Sequence, residues 1–178
     1  LAHGITMGGG MGLLQASRYR LITPETVMAM PEATIGLFPD AGASWFLNRL
    51  PGSIGLFMGL TGARLNASDA MRVGLADLVL DRERQDELVE RIGEQYWTGE
   101  IAADDNRLFR LLDQVREARP SDLPDSELAR YEQDIARLCR RDELPRVIAR
   151  LLESPPGNDW WSACMDSLRK ACPVSLGL

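Results

Sequence analysis

Two stretches near the start of the chain hold the residue types that could do chemistry. Residues 4–12 read GITMGGGMG, and residues 30–42 read MPEATIGLFPDAG. In the second, Glu32 and Asp40 each follow a proline, with Gly36 and Gly42 as hinges. Two carboxylates on loops at strand ends can converge on one pocket. There the apolar neighbours Ile35, Leu37, Phe38 and Trp45 would raise a carboxyl pKa toward a value useful for acid–base or nucleophilic work. The alternative is structural: Glu32 caps a turn and Asp40 caps the helix that begins near Gly42. In the first stretch, consecutive glycines between a strand and a helix open backbone conformations closed to other residues. They also let a ligand approach main-chain N–H groups near a helix N-terminus. A tight turn needing glycine for packing alone explains that stretch equally well.

Other chemistries find little support. No GxGxxG can be laid on Gly8–Gly12, because the third glycine would fall on Leu13 or Gln15, and no GK[ST] follows. There is no GxSxG, and His3 is the only histidine, so a Ser-His-Asp triad or a histidine-rich metal site has no material; a strand-end position suits His3 better. Cys139, Cys164 and Cys172 are odd in number and contain no CxxC, which reads as free thiols in a reducing compartment. Arg18, Arg20, Arg49 and Arg64 are candidates for phosphate contacts, though each taken singly reads as a solvated arginine. Trp160 and Trp161 could contact an aromatic base, and a buried anchor is the preferred reading. The run Asp81–Glu87 reads as a solvated helix face.

The 178 residues are 45% hydrophobic and 26% charged, with net charge −6 and a pI near 4.9. That length supports one domain, or one domain and a small appendage. The acidic balance argues against nucleic acid, which needs a basic face. No run approaches a membrane span and no signal peptide opens the chain, so a soluble, cytoplasmic protein is expected.

The elements that must hold the two stretches are short. Leu1–Met7 reads as a buried strand, Gly8–Gly10 as a turn and Met11–Ser17 as the start of a helix. Tyr19–Thr23 and Thr26–Ala29 read as further strands. Helices are expected over Ala43–Leu50 and Ile54–Thr61. Another, capped by Asn66 or Ser68, runs to Val73 and stops at Gly74. Leu75–Leu80 reads as a last strand. The fold class is therefore α/β. Residues 81–178 change character, being charged and helical. Leu88, Ile92 and Tyr96 recur at helical spacing, as do Leu128, Tyr131, Ile135 and Leu138. Pro120 and Pro124 separate helices, Leu144–Leu152 is another, and Asp159 is the expected cap of Trp160–Ala171. The division is thus 1–80, holding the site residues, and 81–178, a helical packing and assembly region.

Taken together, ITMGGGMGL, MPE, IGLFPD and AG resemble the crotonase superfamily across residues 1–80. Within it they are similar to the 3-hydroxyisobutyryl-CoA hydrolases. LTGARLNASDAMRVGLAD resembles the family's following segment, and Trp160–Leu178 its C-terminal helical region, whereas residues 81–159 match only loosely. The resemblance implies the crotonase spiral, here its C-terminal part followed by helices. It also implies an acyl-CoA thioester substrate, 3-hydroxyisobutyryl-CoA in valine breakdown, with no cofactor beyond the CoA of the substrate, and a homo-oligomer through the C-terminal helices. It assigns Gly9 N–H to an oxyanion hole, Glu32 to the catalytic carboxylate and Asp40 to the acid that assists it. Gly8, Gly10, Ile35 and Phe38 are expected to touch substrate. Enoyl-CoA hydratases use two glutamates, one of which would fall at Gly12, so hydration is disfavoured; isomerases need only the carboxylate at Glu32. The superfamily's N-terminal part, with its other oxyanion-hole donor, has no counterpart in the sequence. Loss of one such donor costs about 10²–10³ in rate, so feeble activity or none is expected of these residues alone.

Overall fold

A computed structural model describes residues 1–116 and 123–177. Short strands alternate with helices at the start of the chain. Strand β1 (Ile5–Met7) leads through Gly8 into helix α1 (Gly9–Gln15), and the chain returns through β2 (Leu21–Ile22) to β3 (Val27–Ala29). β1 and β3 pair in parallel, Ile5 opposite Val27 and Met7 opposite Ala29. β2 pairs in parallel with β4 (Leu78–Val79). Met28, Ile22 and Val79 enter the core from these strands. The expected buried strand over Leu1–Met7 is shorter and one-sided. Leu1 and Ile5 are exposed while Thr6 is buried, because successive side chains of β1 point to opposite faces and only one of those faces is covered. Leu75–Leu80 likewise contributes only the two residues of β4.

Helix α2 (Ala43–Phe46) gives way to a 3-10 turn at Leu47–Arg49, so the expected helix to Leu50 is broken. The side chains of Asn48 and Arg49 donate to the carbonyls of Ser44 and Trp45, at 2.6 and 2.8 Å. These local bonds compete with continued helix. Helix α3 (Ile54–Thr61) follows with the bounds its apolar run predicts. It lies at the centre of the molecule, with Phe57 and Met58 fully buried. Its Gly55 has no room for a side chain: a Cβ there would stand 2.0 Å from the Leu47 carbonyl oxygen.

Helix α4 (Ala67–Arg72) is capped by Asn66, whose side chain accepts from Asp69 N–H while Asp69 accepts from Asn66 N–H. After β4 come helices α5 (Arg84–Glu94), α6 (Ile101–Val115), α7 (Glu127–Leu138), α8 (Leu144–Leu152), α9 (Asp159–Lys170) and α10 (Pro173–Leu176). Helix α5 ends before Tyr96, which is exposed, and α9 is capped by Asn158 rather than Asp159. Asn158 has the extended backbone a cap requires, and its side chain accepts from Trp161 N–H at 3.0 Å. Pro120 and Leu178 lie outside the described residues.

The core is continuous across the two compositional halves. Met11, Ile22 and Phe57 share a cluster with Leu128, Ile135, Leu151 and Leu168 of α7, α8 and α9. Trp161 stacks on Phe57 at 5.4 Å and on Tyr131 at 4.7 Å, and Trp160 N–H donates to Arg64 C=O. The tryptophan pair is thus the anchor of α9. A second, smaller core of Leu21, Leu80, Leu88 and Leu111 holds α5 against α6. Among the described residues, no helix is long and apolar enough to cross a membrane.

Candidate functional site

Because β1 and β3 run in parallel, their C-terminal ends lie side by side. One continues into the Gly8 turn, the other into Met30-Pro31-Glu32, and Gly8 N–H donates to Ala29 C=O at 3.2 Å. Gly8 has φ +54°. A Cβ at Gly8 would stand 2.7 Å from Glu32 Oε1, so the positive φ favours glycine and any side chain there would displace the Glu32 carboxylate. Gly9 and Gly10 differ: both are exposed, and no atom lies closer than 3.7 Å to where their side chains would begin. Their openness leaves the first turn of α1 accessible.

Glu32 opens a one-turn 3-10 helix, Glu32–Ile35, that Gly36 ends in the left-handed region at φ 81°. The turn is tied down from both sides. Leu37 N–H donates to Glu32 C=O at 3.0 Å, and Cys172 N–H donates to Ala33 C=O at 2.8 Å. Glu32 is only 6% exposed, and its Oε2 is buried with no hydrogen-bond partner among the described residues. Burial pushes the Glu32 carboxyl above the ordinary range. Its own main-chain N–H opposes that rise, and the charge of Asp40 adds to it. A buried, underbonded carboxylate is a strong proton acceptor and a candidate nucleophile.

The chain then passes Phe38 and Pro39 to Asp40. The capping reading of Asp40 is corrected: its carbonyl, not its carboxylate, accepts from Ala43 N–H at 2.8 Å, and α2 has no side-chain cap. The Asp40 carboxylate is exposed, close enough to Glu32 for its charge to be felt. It lines, with Phe38, Gly42, Leu47, Gly59 and Leu176, a cleft of about 660 Å³. The expected apolar walls are also corrected. Ile35, Leu37, Phe38 and Trp45 are 72%, 52%, 51% and 58% exposed. The residues after the left-handed turn at Gly36 run over the surface, and the Glu32 carboxylate is buried against Gly8. Ile35 and Phe38 therefore border the site as open apolar surface.

The structure sets the Glu32 carboxylate against Gly8 and leaves Asp40 within electrostatic range of Glu32. It also adds residues the sequence reading did not single out for contact: Gly12 packs on Ala41, and Ala41 has φ 48°. The available signal was a glycine inside a helix, which costs helix stability unless close packing requires it. His3 lies exposed beside Leu1 and Ile5. Arg18 and Arg20 pair with Asp105 and Asp77, both at 2.5 Å, and Arg49 stacks over the Trp45 ring. Burial pushes Cys139 to about 11 and Cys164 to about 12, so neither is a thiolate near neutral pH.

The sequence profile of the enoyl-CoA hydratase/isomerase family matches residues 1–178. The chain is 55% identical over 76 residues to a probable 3-hydroxyisobutyryl-CoA hydrolase of Arabidopsis thaliana, covering 43% of this chain and 20% of that protein. It is 34% identical over 186 residues to the small ribosomal subunit protein mS47 of Neurospora crassa, covering 97% of this chain and 36% of that protein. Its backbone superposes on the crystal structure of an enoyl-CoA hydratase from Rhodobacter sphaeroides with TM-score 0.73 and 30% identity, covering 97% of this chain and 45% of that one. The chain thus spans about a fifth of the hydrolase, about a third of the ribosomal protein and under half of the hydratase.

Proposed function

The chain belongs to the enoyl-CoA hydratase/isomerase family and has its crotonase fold, and from that premise we propose that it carries the acid pair of an acyl-CoA thioester hydrolase. The substrate is a short hydroxyacyl-CoA, 3-hydroxyisobutyryl-CoA by similarity to the Arabidopsis protein's name. The observation that carries this reading is the Glu32 carboxylate: buried, with one oxygen unbonded, beside the open Gly8–Gly10 turn and within range of the Asp40 charge.

In the proposed reaction the thioester carbonyl lies at the glycine turn, where the Gly9 N–H polarises it. The Glu32 carboxylate attacks the carbonyl carbon, or takes a proton from a water that does so. The C–S bond breaks and CoA leaves as a thiolate that takes up a proton; water either adds directly to give the free acid, or hydrolyses the Glu32–acyl anhydride at the Glu32 carbonyl, so that the acid carries off a Glu32 oxygen and water replaces it. Asp40 handles the proton at the mouth of the site. Both routes need Glu32 ionised, and oxygen-labelled water in a single turnover separates them: label reaches Glu32 itself only by the nucleophilic route. No cofactor enters this scheme, since CoA is part of the substrate.

The match to mS47 over nearly the whole chain favours a second reading, a crotonase-fold subunit without turnover. The test is CoA thiol release from 3-hydroxyisobutyryl-CoA by the full-length protein and its Glu32→Gln variant. Release that disappears with Glu32→Gln supports the hydrolase. A double-bond shift in an enoyl-CoA without thiol release indicates an isomerase. Acyl-CoA binding with no turnover of either kind supports the second reading.

A further inference from the structure

Gly8 precedes helix α1 at φ +54°, and Gly12 lies inside the helix. Each receives one of the two acid-bearing loops: Glu32 Oε1 lies against Gly8, and the Ala41 backbone lies against Gly12. A Cβ at Gly12 would stand 2.5 Å from the Ala41 Cβ and 2.5 Å from its carbonyl oxygen. Ala41 is the only non-glycine residue with positive φ among the described residues, at 48°. L-residues avoid that region, so the contact is held by its surroundings rather than by local preference. Immediately before it sits Asp40, whose carbonyl anchors the loop to Ala43 N–H. Gly12 itself is buried, so the space is filled by loop backbone and no side chain from α1 can occupy it.

We propose that Gly12 and Ala41 form a seat that positions Asp40 across from Glu32 and excludes a second acid from α1, making this pair the specificity-determining contact of the site. The glycine at 12 does more than omit a hydratase-type side chain: it admits the loop whose left-handed turn carries Asp40, the carboxylate whose charge acts on Glu32. A glutamate at position 12 alone would then collide with Ala41 rather than create a two-glutamate site. This inference rests on the hydrolase reading for its kinetic consequence, whereas the seat itself can be observed without turnover.

The experiment uses the full-length protein with Gly12→Ala and with Gly12→Ala/Ala41→Gly, measuring thiol release and amide hydrogen exchange. Gly12→Ala is expected to lower kcat about 100-fold with KM within about threefold, the cost of a misplacement near 1 Å. Exchange at Ala43 N–H accelerates, and α7 amides stay unchanged. The double variant removes one of the two collisions and recovers about tenfold of the lost kcat. Parent kcat in Gly12→Ala, or a loss without faster exchange at Ala43, overturns the proposal, as does a double variant that recovers nothing. Should Gly12→Ala not fold, the double variant carries the test: kcat about tenfold below the parent with faster Ala43 exchange supports the seat, and parent values for both overturn it. If the parent releases no thiol, the hydrolase reading fails, and the exchange measurement still decides whether the seat exists.

Discussion

The junction of α4 with α7 and the turn between β3 and α2 each bury a carboxylate, and they surround it in opposite ways. Asp69 is fully buried. Its Oδ1 accepts from Ser126 O–H at 2.6 Å and Leu128 N–H at 2.9 Å, and its Oδ2 from Asn66 N–H at 3.2 Å. One side chain thereby caps its own helix and the start of α7, tying the helical layer to the strand-rich part. Glu32 is nearly as buried, but one oxygen has no partner and the other lies against a glycine. A buried polar group without a partner is costly, and sites of chemistry are where such a cost persists. The comparison separates a carboxylate used for architecture from one held ready to react, although both are acids following helix or turn starts in the sequence.

The comparison breaks most sharply at Glu32. Glu32→Gln should lower kcat for thiol release by about 10²–10⁴. It should also stabilise the protein near neutral pH. The folded pKa of Glu32 is raised, so the folded state holds the proton more tightly, and stability falls as pH rises through the window above the ordinary carboxylate range. Urea midpoints for parent and variant should therefore coincide at acid pH and separate at neutral pH, with Glu32→Gln higher. A lower midpoint for the variant at neutral pH would place Glu32 with Asp69 as a structural acid.

Asp69→Ala should do the reverse. It leaves the Ser126, Leu128 and Asn66 donors without their acceptor and is expected to cost about 3 kcal/mol in urea unfolding, while thiol release per folded molecule stays at the parent value. A loss under about 1 kcal/mol would mean that water replaces the carboxylate and the junction is less dry than its burial indicates.

Gly8→Ala tests the seat of Glu32. The new Cβ would stand 2.7 Å from Oε1 at a positive φ, so the carboxylate must move. A loss of about 100-fold in kcat is expected, with KM changed far less. Asp40→Asn should cost as much as misplacing Asp40 through Gly12→Ala, about 100-fold in kcat. Because the Asp40 charge is an upward influence on Glu32 secondary to burial, the acidic limb of the residual kcat/KM should also move toward lower pH. A displacement toward higher pH would show that Asp40 stabilises the Glu32 charge through a shared proton instead.

Much of the local structure was legible in the residues. The apolar runs of Ile54–Thr61 and Leu144–Leu152 give α3 and α8 their observed bounds, and Asn66 caps α4 as its type and place suggest. The acids at 32 and 40 and the glycine turn stood out from their flanking prolines and strand-like neighbours. Other features were ambiguous at short range. Asn158 and Asp159 are both good caps in adjacent positions, and only the helix start chooses between them. The second, 3-10 turn after α2 depends on which carbonyls Asn48 and Arg49 reach.

The sequence by itself determined which residues could react, where the short elements lie and that the later residues are helical, because propensity, capping and hydrophobic period act within a few residues. Only the tertiary structure decided that Glu32 is dry while Ile35, Leu37, Phe38 and Trp45 face outward. The same holds for Gly8 and Gly12 receiving two different loops, and for Asp69 serving as a joint rather than a site. Burial, repulsion and orphaned oxygens depend on what the parallel pairing of β1 with β3 and the packing of α7 on α4 bring together across the chain, and a neighbour distant in sequence leaves no mark on the residue it desolvates.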